Sequence, residues 1–292
     1  MSRGDPAALR ASLDARLISL GESRNVDPNR LRRHLTFQRL LRRLADGGGW
    51  VLKGGYLLEA RLGAAARATR DLDLARAESI EAVDLRSLFE RDCARDVDGD
   101  GFVFTVTATH AHLRTADDGP GLHLSVTADL AGRPFATIRV HAVARPDELA
   151  GGTELVTLPP VLAATAFEDV SVPAVDLAQH AAEKLHALAH TDAHPRPSTR
   201  VKDLVDLVLL LDAGVLDDAR LRARLEVVFR ARDGGGPPTS LPAPPEAWRP
   251  GYAEFASRLS LPIRDLDLAM AEVSALYARS IQNAQNPQEP NQ

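Results

Sequence analysis

The chain has 292 residues, of which 45% are hydrophobic and 26% charged, the balance of a soluble globular protein with one large or two ordinary domains. A formal net charge of −5 means that any contact with nucleic acid must come from a local basic patch. No apolar run reaches the roughly 18 residues of a membrane span, "MSRGDPAALRASLDAR" lacks the apolar core of a secretory signal, and the lone Cys93 excludes an intrachain disulfide, so a cytoplasmic location is expected.

In chain order, residues 5–23 read as a helix with Asp5 as N-cap and Pro6 at its first position. A second helix over 27–46 opens with Asp27 and Pro28 and closes at "DGGG". Residues 24–43 carry Arg24, Arg30, Arg32, Arg33, Arg39, Arg42 and Arg43 against Asp27 alone. Such a helix either lies along a phosphate backbone or is an ordinary solvated face, and the residues alone do not decide. "WVLKGG" is a short buried strand running into a glycine turn, "YLLEARLG" a two-turn helix ending at Gly63, and "RDLDLAR" a strand alternating acid and leucine. A helix near 80–93 follows. "FVFTVTATHAHL", "LHLSVTADL" and "FATIRVHAVA", joined by "DDGPG" and "AGRP", make an antiparallel meander.

After "RPDELAGG" the pattern turns helical over 172–230, in "VDLAQHAAEKLHALAH", "TRVKDLVDLVLLLDAG" and "DDARLRARLEVVF". A Gly/Pro-rich linker then precedes two final helices. The expected organisation is an α/β domain over 1–150, a helical domain over 151–283 that shares its cleft, and a disordered tail at 284–292.

Of 35 basic side chains only Lys53, Lys184 and Lys202 are lysines. A retained ammonium in an arginine-rich chain suggests a point contact that a planar guanidinium cannot make. Asp71 and Asp73, two apart in a strand, project from one face with Cα atoms roughly 6–7 Å apart. That suits carboxylates sharing divalent cations for phosphoryl transfer, although a solvated strand would look the same. Gly54 and Gly55, opening a helix beside Lys53, offer backbone N–H groups to a triphosphate. Lys184 could equally be a helix-surface lysine, and Asp203 and Asp206, at i, i+3, a capping pattern. Histidines cluster at 180, 186, 190 and 194. His186 and His190 have the spacing of a helical zinc pair, yet no HExxH glutamate and no third ligand is evident.

"LKGGYLLEARLG…RATRDLDL", "AEKLHALAH" and "TRVKDLVDL" together resemble the successive motifs of the AbiEii/AbiGii nucleotidyltransferases, a family that includes the MenT toxins of toxin–antitoxin pairs. The likeness spans about residues 35–212. It implies an α+β fold: a DNA polymerase β-like nucleotidyltransferase core, a mixed sheet with helices, followed by a C-terminal helical region. It further implies transfer of a nucleotide from an NTP with Mg²⁺, or Mn²⁺ in its place, to an acceptor such as the 3′ end of tRNA, and a cognate antitoxin encoded nearby. Carried over by motif, Lys53, Gly54 and Gly55 contact the triphosphate and Asp71 and Asp73 hold the metal. Lys184 stabilises charge, Asp203 positions Lys184 or the nucleotide, and Thr69 and Lys202 lie with the nucleotide contacts. Relatives carry a further acid on a later strand; in "VHAVARPD" Asp147 matches the last acid, but His141 stands in place of the third core carboxylate. Imidazole is a poor magnesium ligand. Either two carboxylates suffice, the preferred reading, or His141 acts as a base. Arg32, Arg39 and Arg43 would grip acceptor-stem phosphates. The rival readings are nucleotidylation of a protein side chain, a non-catalytic nucleotide- or RNA-binding module, and a metal-dependent nuclease.

Overall fold

The computed structural model describes residues 5–78, 80–111, 121–149, 152–162, 167, 169–190 and 197–282. The chain divides into two compact units, residues 1–60 with 68–174 and residues 61–67 with 175–292.

The first unit opens with α1 (Pro6–Arg24) and α2 (Pro28–Gly47). The Asp5 and Asp27 carboxylates each accept a backbone N–H at 2.9 Å, and a proline follows each cap, as expected. A mixed seven-stranded sheet is ordered β3-β4-β5-β2-β1-β7-β6. Its strands are β1 (Trp50–Lys53), β2 (Asp71–Arg76), β3 (Phe102–Ala111), β4 (Gly121–Leu130), β5 (Arg133–Ala144), β6 (Glu154–Thr157) and β7 (Ser171–Ala174). The pairs β2–β5 and β1–β7 are parallel and the others antiparallel. Between strands lie α3 (Gly54–Leu62), α4 (Ala82–Cys93) and the single turn α5 (Pro146–Leu149). Leu72, Leu74, Leu124, Val140 and Ala142 are buried on one face of the sheet; each such leucine or valine contributes about 1.5–3 kcal/mol. Their burial leaves the alternate positions of β2, β4 and β5 on the opposite face.

Two expectations need correction. The division between units falls at 174 rather than 150, because β6 and β7 complete the sheet. Both strands have only four residues, and Pro173 interrupts the ladder of one, so neither carried a readable period. The arginines of α2 are also not a free basic stripe. Arg39 and Arg43 side chains are 1% exposed. Arg39 binds Asp98 and donates Nε to Asp100 at 2.8 Å, and Arg43 grips Asp100 at 2.6 and 2.9 Å and donates to the Phe102 carbonyl at 2.9 Å. These guanidinium groups fasten the segment entering β3 and cannot reach RNA phosphates. Arg32, partly exposed, donates to Asp14 at 2.8 Å and its guanidinium lies over the Phe135 ring.

The second unit contains α6 (Leu177–Ala189), α7 (Pro197–Asp212), α8 (Asp218–Asp233), α9 (Arg249–Leu259) and α10 (Leu266–Gln282). Asp176 caps α6 by accepting the Gln179 N–H at 2.6 Å, and Arg224 of α8 holds its other oxygen at 2.6 Å, joining the two helices. Leu185, Leu188, Leu204, Val208, Leu225 and Leu276 supply the core, at the helical periods seen in sequence. The predicted turn "DDGPG", for the most part, His194 and the tail at 284–292 lie outside the described residues.

Candidate active site

Strand register assembles the polar face. Lys53 of β1 lies opposite Asp73 of β2, Asp73 opposite His141 of β5, and His141 opposite His123 of β4. Two residues along, Asp71 stands opposite Arg139, and Arg139 opposite Ser125. Directly opposed residues share a face of the sheet. Lys53, Asp71, Asp73 and His141 are therefore gathered on one face, and His141 occupies a place beside the aspartate pair. An open depression of about 370 Å³, lined by Asp71, Asp73, His123, Ser125, Arg139 and His141, marks this surface. That volume lies within the range of small-molecule sites.

The local contacts explain how the carboxylates are held. His141 Nδ1 lies 3.6 Å from Asp73 Oδ1, and its ring stacks on His123 with centroids 4.5 Å apart. Arg139 donates Nε to Asp71 Oδ1 at 2.6 Å, with both side chains about half-exposed or more. Such an exposed pair contributes about 0.2–1 kcal/mol, so Arg139 is easily released to another anion. Gly54, with φ +70°, brings a bare Cα against Asp73; a Cβ there would stand 2.0 Å from Asp73 Oδ2. Glycine is thus needed at position 54 both for its backbone conformation and for close approach. Gly55 follows it, buried in the first turn of α3.

Lys53 Nζ lies 3.9 Å from the buried Glu148, which Arg145 also approaches at 3.3 Å. Asp147 is in α5, and its side chain lies outside what the structure describes. Thr69 is buried; its N–H donates to Glu59 Oε2 at 3.1 Å and its hydroxyl to the Asp71 carbonyl at 3.3 Å. It fixes the entry to β2 instead of presenting a free hydroxyl. Burial alone would raise the Glu59 carboxyl, but His34 and Arg30 outweigh it and hold the pKa below the usual value. Glu59 therefore stays ionised to anchor the strand that carries both aspartates.

In the second unit Lys184 is buried, with Nζ 3.0 Å from Asp203 Oδ1 and 2.7 Å from Asp206 Oδ2. Arg67 donates twice to Asp206, at 2.8 and 2.9 Å, and Arg200 donates to Asp203 at 3.2 Å. Burial lowers the affinity of Lys184 for its proton, yet Asp206 and Asp203 more than restore it, so the pKa rises. For Asp206 the burial penalty is overcome by Lys184 and Arg67, and its pKa falls. Nearby His180 is pushed down to about 3, first by burial and then by the Lys184 charge, and so is neutral. Lys184 lies between Asp203 and Asp206. Lys202, on the same turn of α7, is half-buried.

Sequence reading missed Arg139, His123, Glu148, Glu59 and Arg67. Arg139 shares the two-residue spacing of His141 and could have been found from it; the others depend on register or on tertiary contact.

The two aspartates fit a hard divalent cation, because they offer carboxylate oxygens on one solvent-facing side and a glycine leaves room behind Asp73. Nucleotidyltransferases generally use an NTP and a divalent metal, and no helix among the described residues is long and apolar enough to cross a membrane. Among solved structures, MenT4, a nucleotidyltransferase toxin from Mycobacterium tuberculosis H37Rv, is 21% identical, with a TM-score of 0.53 over 96% of this chain and 90% of that one. This likeness supports the nucleotidyltransferase fold. JHP933 from Helicobacter pylori is 14% identical with a TM-score of 0.43, covering 89% of this chain and 94% of that one, too distant to carry weight. No curated protein matches. The family model for the nucleotidyl transferase AbiEii toxin of type IV toxin–antitoxin systems matches residues 38–279, and by that match the chain belongs to the AbiEii family of nucleotidyltransferase toxins.

Proposed function

We propose that this nucleotidyltransferase toxin moves a nucleotide from an NTP to a hydroxyl at the 3′ end of tRNA, in magnesium, within the cytoplasm, and that an antitoxin encoded nearby restrains it. The observation that carries the reading is the shared face of Lys53, Asp71, Asp73, Arg139 and His141, with Gly54 pressed on Asp73. Asp71 and Asp73 would hold Mg²⁺, which when bound supplies Lewis-acid stabilisation of charge on the phosphates.

Lys53 and the N–H groups of Gly54 and Gly55 cradle the triphosphate. Arg139, leaving its weak surface pair with Asp71, takes a phosphate oxygen with a planar fork. The acceptor hydroxyl attacks the α-phosphorus and gives up its proton to solvent water; a new P–O bond forms, the bond to the β-phosphate oxygen breaks, and pyrophosphate departs. Lys184 is proposed to act by positioning Asp203, since its ammonium is already shared by two carboxylates. Thr69 acts through the Asp71 backbone, and Lys202 is proposed as a nucleotide contact.

The test is incubation of purified protein with total tRNA and each labelled NTP in turn. Label should enter RNA of tRNA length, with one pyrophosphate released per nucleotide added, and only with a divalent cation. Label in protein would replace the acceptor with a side-chain hydroxyl. Stoichiometric NTP binding without pyrophosphate would make the chain non-catalytic, and RNA fragments without NTP would make it a nuclease.

A further inference from the structure

In the second unit, His186 and His190 stand one turn apart on α6, His190 as its C-cap, while Phe229 and Asp233 stand one turn apart on α8. Residues four apart share a helix face. His186 Nε2 lies 3.0 Å from Asp233 Oδ1 and His190 Nε2 3.4 Å from Asp233 Oδ2; one ligand atom from each residue falls within 4.8 Å of the other two. The third ligand that sequence could not supply thus comes from another helix.

The hydrogen bonding around His190 points to a cation. Its Nδ1 lies 2.9 Å from the His186 carbonyl oxygen, which can only accept, so Nδ1 carries the hydrogen. In the neutral ring Nε2 then directs a lone pair at a carboxylate oxygen. Two lone pairs repel, and a proton or a metal ion between them makes the contact attractive. A carbonyl that fixes Nδ1–H so that Nε2 becomes the ligand is the usual support of a metal-bound histidine.

The surroundings agree. The site lies at the C-terminal ends of α6 and α8, whose partial negative charge favours a cation. The Phe229 ring closes the apolar side, 4.8 Å from the His186 ring and 6.1 Å from the His190 ring. Toward solvent, His190 is 36% and Asp233 25% exposed, which allows entry and leaves a place for water. Arg232 is the adverse charge, and its side chain turns toward Glu183 at 3.7 Å.

We propose that His186, His190 and Asp233 form a zinc site that ties the end of α6 to the end of α8. Two imidazole nitrogens and one carboxylate oxygen, with water as the fourth ligand, suit zinc and not magnesium. The site is separate in composition from Asp71 and Asp73 and does not depend on the reaction proposed above.

The test is a zinc titration of tag-free, chelator-treated full chain by calorimetry, repeated with Asp71→Asn and Asp73→Asn together so that those carboxylates cannot contribute. One equivalent should bind with micromolar or better affinity in both backgrounds. Co²⁺ should give visible d–d absorption, and a hundredfold excess of zinc over Kd should raise Tm by roughly 5 °C. His190→Ala and Asp233→Asn, both at solvent-facing helix ends, should each lose that equivalent while keeping the far-UV spectrum and nucleotide transfer. Absence of saturable binding, binding only at millimolar zinc, or an equivalent retained in both variants would overturn the proposal.

Discussion

Gly54→Ala isolates the placement of Asp73 from the stability of the fold. The left-handed backbone at Gly54, φ +70°, costs an alanine about 1–2 kcal/mol. Set against a global stability of about 5–15 kcal/mol, that loss leaves the protein folded. The steric effect is of another kind. The added Cβ would stand 2.0 Å from Asp73 Oδ2, so the carboxylate must retreat by about 1 Å to reach even a 3.0 Å contact. A displacement of about 1 Å in a group that holds the reacting assembly costs about 10²-fold in rate, or roughly 2.7 kcal/mol of barrier. Gly132→Ala is the matched control: φ is +68° and nothing lies within 4 Å of its added Cβ. Both variants should show similar losses in urea unfolding, while single-turnover nucleotide transfer falls about a hundredfold in Gly54→Ala and stays near wild type in Gly132→Ala. Equal activity in the two variants would refute the contact as a determinant of catalysis.

His141→Ala should retain transfer to within a few fold, and His141→Asp should lower the magnesium concentration for half-maximal rate; a loss of about 10²–10⁴-fold in the alanine variant, with NTP binding intact, would make His141 an acid–base group. Arg43→Met should lower the unfolding free energy by about 3–5 kcal/mol, because it leaves Asp100 buried without its main partner. The KM for RNA should not change, and a raised KM with unchanged stability would restore the α2 arginines to the RNA. Glu59, Asp100 and Asp206 are all held below ordinary carboxyl pKa values, so their stabilisation is present above about pH 4 and is lost as pH falls through the lowered values. The urea midpoint should therefore drop steeply below about pH 4, and a midpoint unchanged between neutral and acidic pH would contradict these pairings.

The long amphipathic helices and the alternating strands were legible because period and caps repeat along the chain: Asp5 and Asp27 each precede a proline, and "RDLDLAR" alternates cleanly. The site was legible where residues lie close in sequence, as Lys53 does to Gly54 and Asp71 to Asp73. What composition misled was the arginine helix. Counting charges along α2 could not reveal Asp98 and Asp100, about 60 residues away, that consume Arg39 and Arg43. His123 escaped notice for a related reason, since only the β4–β5–β2 register brings it to the aspartates, whereas Arg139 stands two residues before His141 on one strand. Asp233 reaches His186 and His190 across two helices, a relation no local spacing encodes.

The central claim is that Asp71 and Asp73 carry nucleotidyl transfer. Its most direct test is single-turnover transfer of labelled nucleotide by Asp71→Asn and Asp73→Asn, alongside wild type, in magnesium. Both side chains are partly exposed, so each variant should unfold at the wild-type temperature within about 2 °C, as surface changes usually do. Transfer should fall by at least about 10³-fold in each, since the loss of one ligand weakens the stabilisation of the departing pyrophosphate. Near-wild-type transfer in either variant, with the fold intact, would contradict the account.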